Sequence, residues 1–128
     1  MYKTHETDAA RHVVNNVTPS GYKLLIALPI VEEQTKGGIF LTQDMLKREH
    51  VASIIGTVVA MGPSCYHGVD RNGIARFPDG AWCHVGDNVI FKSYAGVRIS
   101  YEDQEFRLIN DDSIEAVVKS PVGIERAI

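Results

Sequence analysis

At 128 residues the chain suits a single domain with a modest core, and 45% hydrophobic against 23% charged residues excludes a disordered chain. Lys plus Arg number 13 and Asp plus Glu 16, so the net charge is −3. That balance argues against general nucleic-acid binding, which needs a basic face to neutralise phosphates.

The start, Met1-Tyr2-Lys3-Thr4-His5-Glu6-Thr7-Asp8, has no apolar run of the signal-peptide kind. Residues 1–16 are polar, with His5, His12, Asn15 and Asn16 and no clear period, and are expected to form a flexible N-terminal extension. Pro19-Ser20-Gly21 reads as a turn. Tyr22 to Leu28 reads as a mostly buried strand ended by Pro29. The longest apolar run, Leu24 to Val31, is far too short to span a bilayer.

Residues 30–50 contain Gln34-Thr35-Lys36-Gly37-Gly38-Ile39-Phe40-Leu41, flanked by charged and polar residues on both sides. A core strand does not need Gly-Gly at its mouth, and a solvent loop does not need Ile-Phe-Leu at its centre. Two readings fit. One is a hairpin strand tucked back on its own barrel, which is slightly favoured on physics alone because isolated apolar triplets are usually core. The other is a mobile loop that holds an apolar plug for another protein's groove. Thr42 can cap a short helix through Leu46 to Glu49.

Val51 to Met61 is apolar and β-branched, with Gly56 suggesting a bulge or sharp bend; Gly62-Pro63 stops it. From Ser64 to His84 the chain is turn-rich. Asn72-Gly73 is a type I′ hairpin signal, and Asp79-Gly80 a second turn signal. Val85 to Phe91 reads as a strand opened by Gly86-Asp87, and Tyr94-Ala95-Gly96 punctuates. Val97 to Tyr101 alternates as a half-buried strand does, and Glu105 to Ile109 follows. Asn110-Asp111-Asp112 is a turn, Ile114 to Val118 the last strand, and residues 120–128 a tail.

Strands at this spacing, with hairpin turns and little helix, indicate an all-β fold, a small, partly open barrel. No catalytic constellation stands out: there is no G-x-x-x-x-G-K-[ST], no G-x-G and no G-x-S-x-G. The two cysteines, Cys65 and Cys83, form no C-x-x-C pair and read as reduced thiols of a cytoplasmic protein. With His67 and His84 they can in principle supply four zinc ligands, but the spacing fits no known finger or ribbon, and a free Cys is commonly a small buried hydrophobe. No metal site is therefore expected. Phe77 and Trp82 read as packing under the hairpin rather than as a base-stacking platform.

Three stretches in order carry a resemblance. Glu33-Gln34-Thr35-Lys36-Gly37-Gly38-Ile39-Phe40-Leu41, then Gly56-Thr57-Val58-Val59-Ala60-Met61-Gly62, then Val85-Gly86-Asp87-Asn88-Val89-Ile90-Phe91 resemble the small co-chaperonin family of GroES type. The likeness runs from about Val17 to Val118, and Phe77 to Asp87 looks closest to versions carried by bacteriophages. The resemblance implies a GroES-like barrel over 17–119, with the long mobile loop at 30–50 and a roof β-hairpin at 63–84. Gly37, Gly38, Ile39, Phe40 and Leu41 would bind a GroEL-type chaperonin. Tyr94 would line the enclosed chamber, although a core or turn tyrosine fits its sequence context equally well.

The resemblance further implies a non-enzymatic homo-heptameric lid, in which first and last strands of neighbouring subunits pair. ATP would be bound by the chaperonin partner, and no cofactor by this chain. A phage version would serve viral clients in the host cytoplasm. Phe40 departs from the family's usual Val or Met, and residues 1–16 from its usual start near the first strand. The alternative is a GroES-like structural or interaction barrel, such as a virion component, without lid activity. A weaker third is an oligonucleotide-binding barrel.

Overall fold

The computed structural model describes residues 2–31, 54–124 and 127. The elements in chain order are β1 (Tyr2–Lys3), α1 (Asp8–Asn16), β2 (Lys23–Ala27), β3 (Ile30–Val31), β4 (Ile55–Met61), β5 (Asn88–Phe91), β6 (Val97–Tyr101), β7 (Gln104–Asn110), a 3-10 turn (Asp111–Ser113) and β8 (Ile114–Val118). The six longer strands make one antiparallel sheet in the order β6-β7-β2-β4-β5-β8, and β1 pairs with β3 beside it. Among the described residues the sheet is open between β6 and β8, which agrees with an all-β, partly open barrel.

The inner core follows the strand period. Leu24 and Ile26 of β2, Val58 of β4, Val89 and Phe91 of β5, Ile109 of β7 and Ile114 of β8 share one buried cluster with Leu28, Cys65, Tyr66 and Cys83. The intervening side chains Leu25, Ala27 and Phe106 face the other side, where they are equally buried. This explains why β2 reads as an unbroken apolar run: both of its faces are covered.

The second cover is α1, and here the expectation of a flexible extension is corrected. Residues 8–16 are helical because Thr7 caps them, its hydroxyl accepting from Ala10 N at 3.0 Å, with Asp8 in the first turn. Ala9, Ala10 and Val13 form the buried stripe, continued by half-buried Val17. A nine-residue helix is marginal alone, so its order comes from this packing. At its exposed flank, His12 Nδ1 lies 2.9 Å from Glu102.

Glycine and turn assignments also shift. The bulge lies not at Gly56 but at Val59, where the β2–β4 register slips between Leu25 and Ile26. Gly56 is required by close approach: a Cβ there would sit 2.5 Å from Ile26 Cγ2 and 2.7 Å from the Ala27 carbonyl.

Asn72-Gly73 does not form a type I′ turn, because Gly73 has φ +78° while Asn72 is not in the left-handed region. Instead Asp70 Oδ1 accepts from Asn72 N and Ile74 N, and only Val69 and Ala75 bridge across. Residues 63–84, expected to be a roof hairpin, are thus a set of turns, several capped by side chains, rather than a laddered hairpin. The two-residue hairpin lies at Glu102-Asp103, with φ of 49° and 65°, between β6 and β7. Val85 stays outside β5, at 59% exposure, because the chain turns at His84–Asp87 before pairing begins.

β2, the expected first barrel strand, lies inside the sheet. It is hydrogen-bonded to β4 on one side and β7 on the other. Among the described residues the sheet's edges are β6 and β8.

Candidate functional site

Gly37, Gly38, Ile39, Phe40 and Leu41 lie outside the described residues, as does the short helix expected after Thr42. What the structure describes is the ground on which that segment stands. The chain leaves the sheet through Leu28, Pro29 and β3 and returns through Ile54 into β4. Both roots are held by backbone bonds: Leu28 N donates to Glu105 O at 3.0 Å, and Phe91 N to Ile54 O at 2.9 Å.

A buried polar cluster sits between the roots. Gln104, 1% exposed, donates from Nε2 to Leu28 O at 2.7 Å and to Thr4 O at 3.0 Å, while its Oε1 accepts from the Thr7 hydroxyl at 2.6 Å. Thr4 Oγ1 lies 2.6 Å from Thr57 Oγ1, which donates to Asn88 Oδ1 at 2.8 Å. Backbone pairing of Tyr2 with Val31 and of Lys3 with Ile30 completes the tie. Sequence reading missed this cluster because its members are ordinary threonines and a glutamine. The available signal was Thr7 ahead of Ala10, Val13, Val14 and Val17 at helical spacing.

Within these turns, Cys65 and Cys83 are buried, whereas His67 and His84 are exposed. Among the described residues no group of three or more His, Cys, Asp or Glu side chains comes together as metal ligands do. Burial pushes both thiols up, so they stay protonated packing groups and not nucleophiles. Burial, and then the hydrogen bond with Cys83, pushes the Tyr66 phenol far above its ordinary value. Phe77 packs edge-on between Tyr66 and Trp82, at 4.8 and 4.9 Å, as expected for packing aromatics.

An ion pair between half-buried Arg76 and buried Asp111 holds this cap to the sheet. Asp111 is fully buried and takes both guanidinium nitrogens of Arg76, at 2.8 and 3.1 Å, and the Tyr66 amide at 2.9 Å. Arg107 is the second buried charge. It donates to Ser93 O, Ala95 O and Glu105 and lies over the Phe91 ring. Burial alone would raise the Glu105 carboxyl, but hydrogen bonds from Arg98 and Arg107 outweigh it and hold the group below the ordinary carboxylate range. Tyr94 is 78% exposed, which excludes the core-tyrosine reading. It stands beside Lys92, Asn110 and Glu115.

No helix among the described residues is long and apolar enough to cross a membrane. Residues 16–118 match the family described as the chaperonin 10 Kd subunit. The chain is 34% identical over 104 residues to the co-chaperonin GroES of Clostridium beijerinckii, covering 81% of this chain and 99% of that protein. It is 32% identical over 101 residues to the co-chaperonin GroES of Tetragenococcus halophilus, at 79% and 97% coverage. Against that of Acetivibrio thermocellus it is 32% identical over 104 residues, at 81% and 99% coverage. With an open antiparallel sheet of six strands and a match across most of its length, the chain belongs to the chaperonin 10 Kd subunit family.

Proposed function

We propose that this protein is a co-chaperonin that lids an ATP-driven chaperonin of GroEL type, without catalysing a reaction itself. The observation that carries the reading is the Gly37-Gly38-Ile39-Phe40-Leu41 stretch, set between two anchored roots in a chain of this family. In the proposal Ile39, Phe40 and Leu41 enter an apolar groove on the chaperonin, and Gly37-Gly38 lets the backbone turn them outward. Burying three such side chains stabilises docking by about 5–9 kcal/mol gross per loop. Ordering about a dozen residues opposes it by on the order of 1–2 kcal/mol each. One loop therefore binds weakly, and affinity comes from several loops engaging together at high effective concentration.

Ring assembly suits the open sheet. Among the described residues the β8 edge has a partner, β5, on one side only. Residues 17–22, which precede β2, form no strand. Pairing β8 of one subunit with that stretch of the next would extend the sheet around a ring, seven subunits by resemblance, and remove the edge. Tyr94, exposed as it is, would then face the chamber that encloses a folding client. The same resemblance makes the setting cytoplasmic, and the clients viral in a phage-encoded version.

The test is a mixing assay with a bacterial chaperonin and ATP, followed by particle imaging. Capped particles are expected. Ile39→Ser should abolish capping and leave the ring folded. Uncapped particles with the unsubstituted chain, or capping untouched by Ile39→Ser, would overturn the reading.

A further inference from the structure

We propose that residues 2–7 are a clamp that positions both roots of the docking loop; this rests on the loop-docking reading above. The family match begins at residue 16, so the clamp lies outside it. Three observations converge on the clamp. β1 pairs with β3, the last described element before residue 32. The Thr4 hydroxyl reaches Thr57, two residues into β4 and so close behind the returning root. Gln104 joins the two, bonded at once to Leu28 O on the outgoing root and to Thr4 O and the Thr7 hydroxyl on the clamp.

Gln104 gives the cluster its meaning. It is a buried amide at the start of a strand, and three of its hydrogen bonds are accounted for. Two of the three go to residues 4 and 7. Without them a buried donor and acceptor would be left unpaired, which proteins avoid. A polar side chain at this position is therefore matched to the N-terminal segment and not to the sheet alone. The same segment runs on into α1, whose packing on Leu25, Ala27 and Phe106 fixes where the clamp ends.

The consequence for docking is entropic. A segment whose two ends are held at a set separation has fewer arrangements to lose when it binds. The gain for one loop is small, but it enters once for every loop in the ring, so the effect on ring affinity is multiplied.

The test uses the full chain at a temperature where circular dichroism shows every variant fully folded, so that global stability does not move the readout. Gln104→Ala unties the clamp and is expected to weaken binding to chaperonin with ATP by on the order of tenfold. Adding Thr4→Cys and Thr57→Cys to that variant allows a disulfide across the clamp, since the two hydroxyl oxygens are 2.6 Å apart. Oxidation should restore affinity and reduction should remove it again. Wild-type affinity in Gln104→Ala, or a loss that the oxidised bridge does not repair, would overturn the clamp. Ile39→Ser run alongside separates the failures. If it abolishes binding while Gln104→Ala changes nothing, the clamp alone falls. If Ile39→Ser still binds, loop docking falls and takes the clamp with it.

Discussion

The two faces of the sheet are closed by different means. The inner face is filled mainly by the strands' own alternating side chains, Leu24, Ile26, Val58, Val89, Phe91 and Ile109, and topped by Cys65, Tyr66 and Cys83 from the turns of residues 63–84. The outer face is closed by a separate element, α1, which contributes only small residues, Ala9, Ala10 and Val13, against Leu25, Ala27 and Phe106. Small side chains let the helix lie close to the strands, but they bury little area each. The outer layer should therefore be the weaker one, and it is the layer that carries the clamp.

Phe91 and Phe106 test this most strongly, being buried to 1% and 0% exposure on opposite faces. Truncation of either to Ala is expected to cost about 3–5 kcal/mol in denaturant unfolding. The difference should appear in amide hydrogen exchange. Phe106→Ala should expose α1 amides by local opening, whereas Phe91→Ala should leave them protected until the whole chain unfolds. Equal α1 protection in both variants would mean that the two layers form one cooperative unit.

Asp111→Ala attacks the inner side where the turns of residues 63–84 cover it. It leaves the Arg76 guanidinium and the Tyr66 amide without their buried partner, and about 3 kcal/mol should be lost. Near-ultraviolet circular dichroism from Trp82 and Tyr66 should change with it, because those rings pack around Phe77 beside Arg76. Thr7→Ala attacks the outer side. It removes the helix cap and one Gln104 partner together, for about 1–2 kcal/mol, with α1 protection falling first.

The smallest effect is on pH. Glu105 is held below the ordinary carboxylate range by Arg98 and Arg107. A carboxyl lowered in the folded state contributes stability above its unfolded pKa, and that contribution is lost as pH falls through its folded pKa. Acid titration of stability should show this loss, and Glu105→Gln should make the curve shallower over the same acidic range. Glu105 is partly solvated, so the change is expected to be modest.

How much of this was legible depended on whether the signal was local. β6 and β8 lie where their residues suggested, at Val97–Tyr101 and Ile114–Val118. The strand pattern of Tyr22 to Leu28 became β2 with both faces buried. The packing role of Phe77 was equally plain, whereas Trp82 touches Phe77 edge-on but stays 48% exposed. The turn at Glu102-Asp103 was not, because neither residue is a glycine; the twist of the β6–β7 hairpin puts both into the left-handed region. Asn72-Gly73 failed in the opposite way, as the Asp70 carboxylate captured the nearby amides and imposed another turn. Gly37 to Leu41, proposed above to dock, were read from the sequence alone and lie outside the described residues.

From the chain of letters one can obtain the strand-rich class, the order of most strands and the family motifs, because alternation and turn chemistry act over a few residues. The fate of residues 2–16 is different. A nine-residue helix and a two-residue strand have too little local free energy to order themselves. Only the folded sheet, by offering Leu25, Ala27 and Phe106 to α1 and Gln104 to Thr4 and Thr7, supplies the partners that decide it.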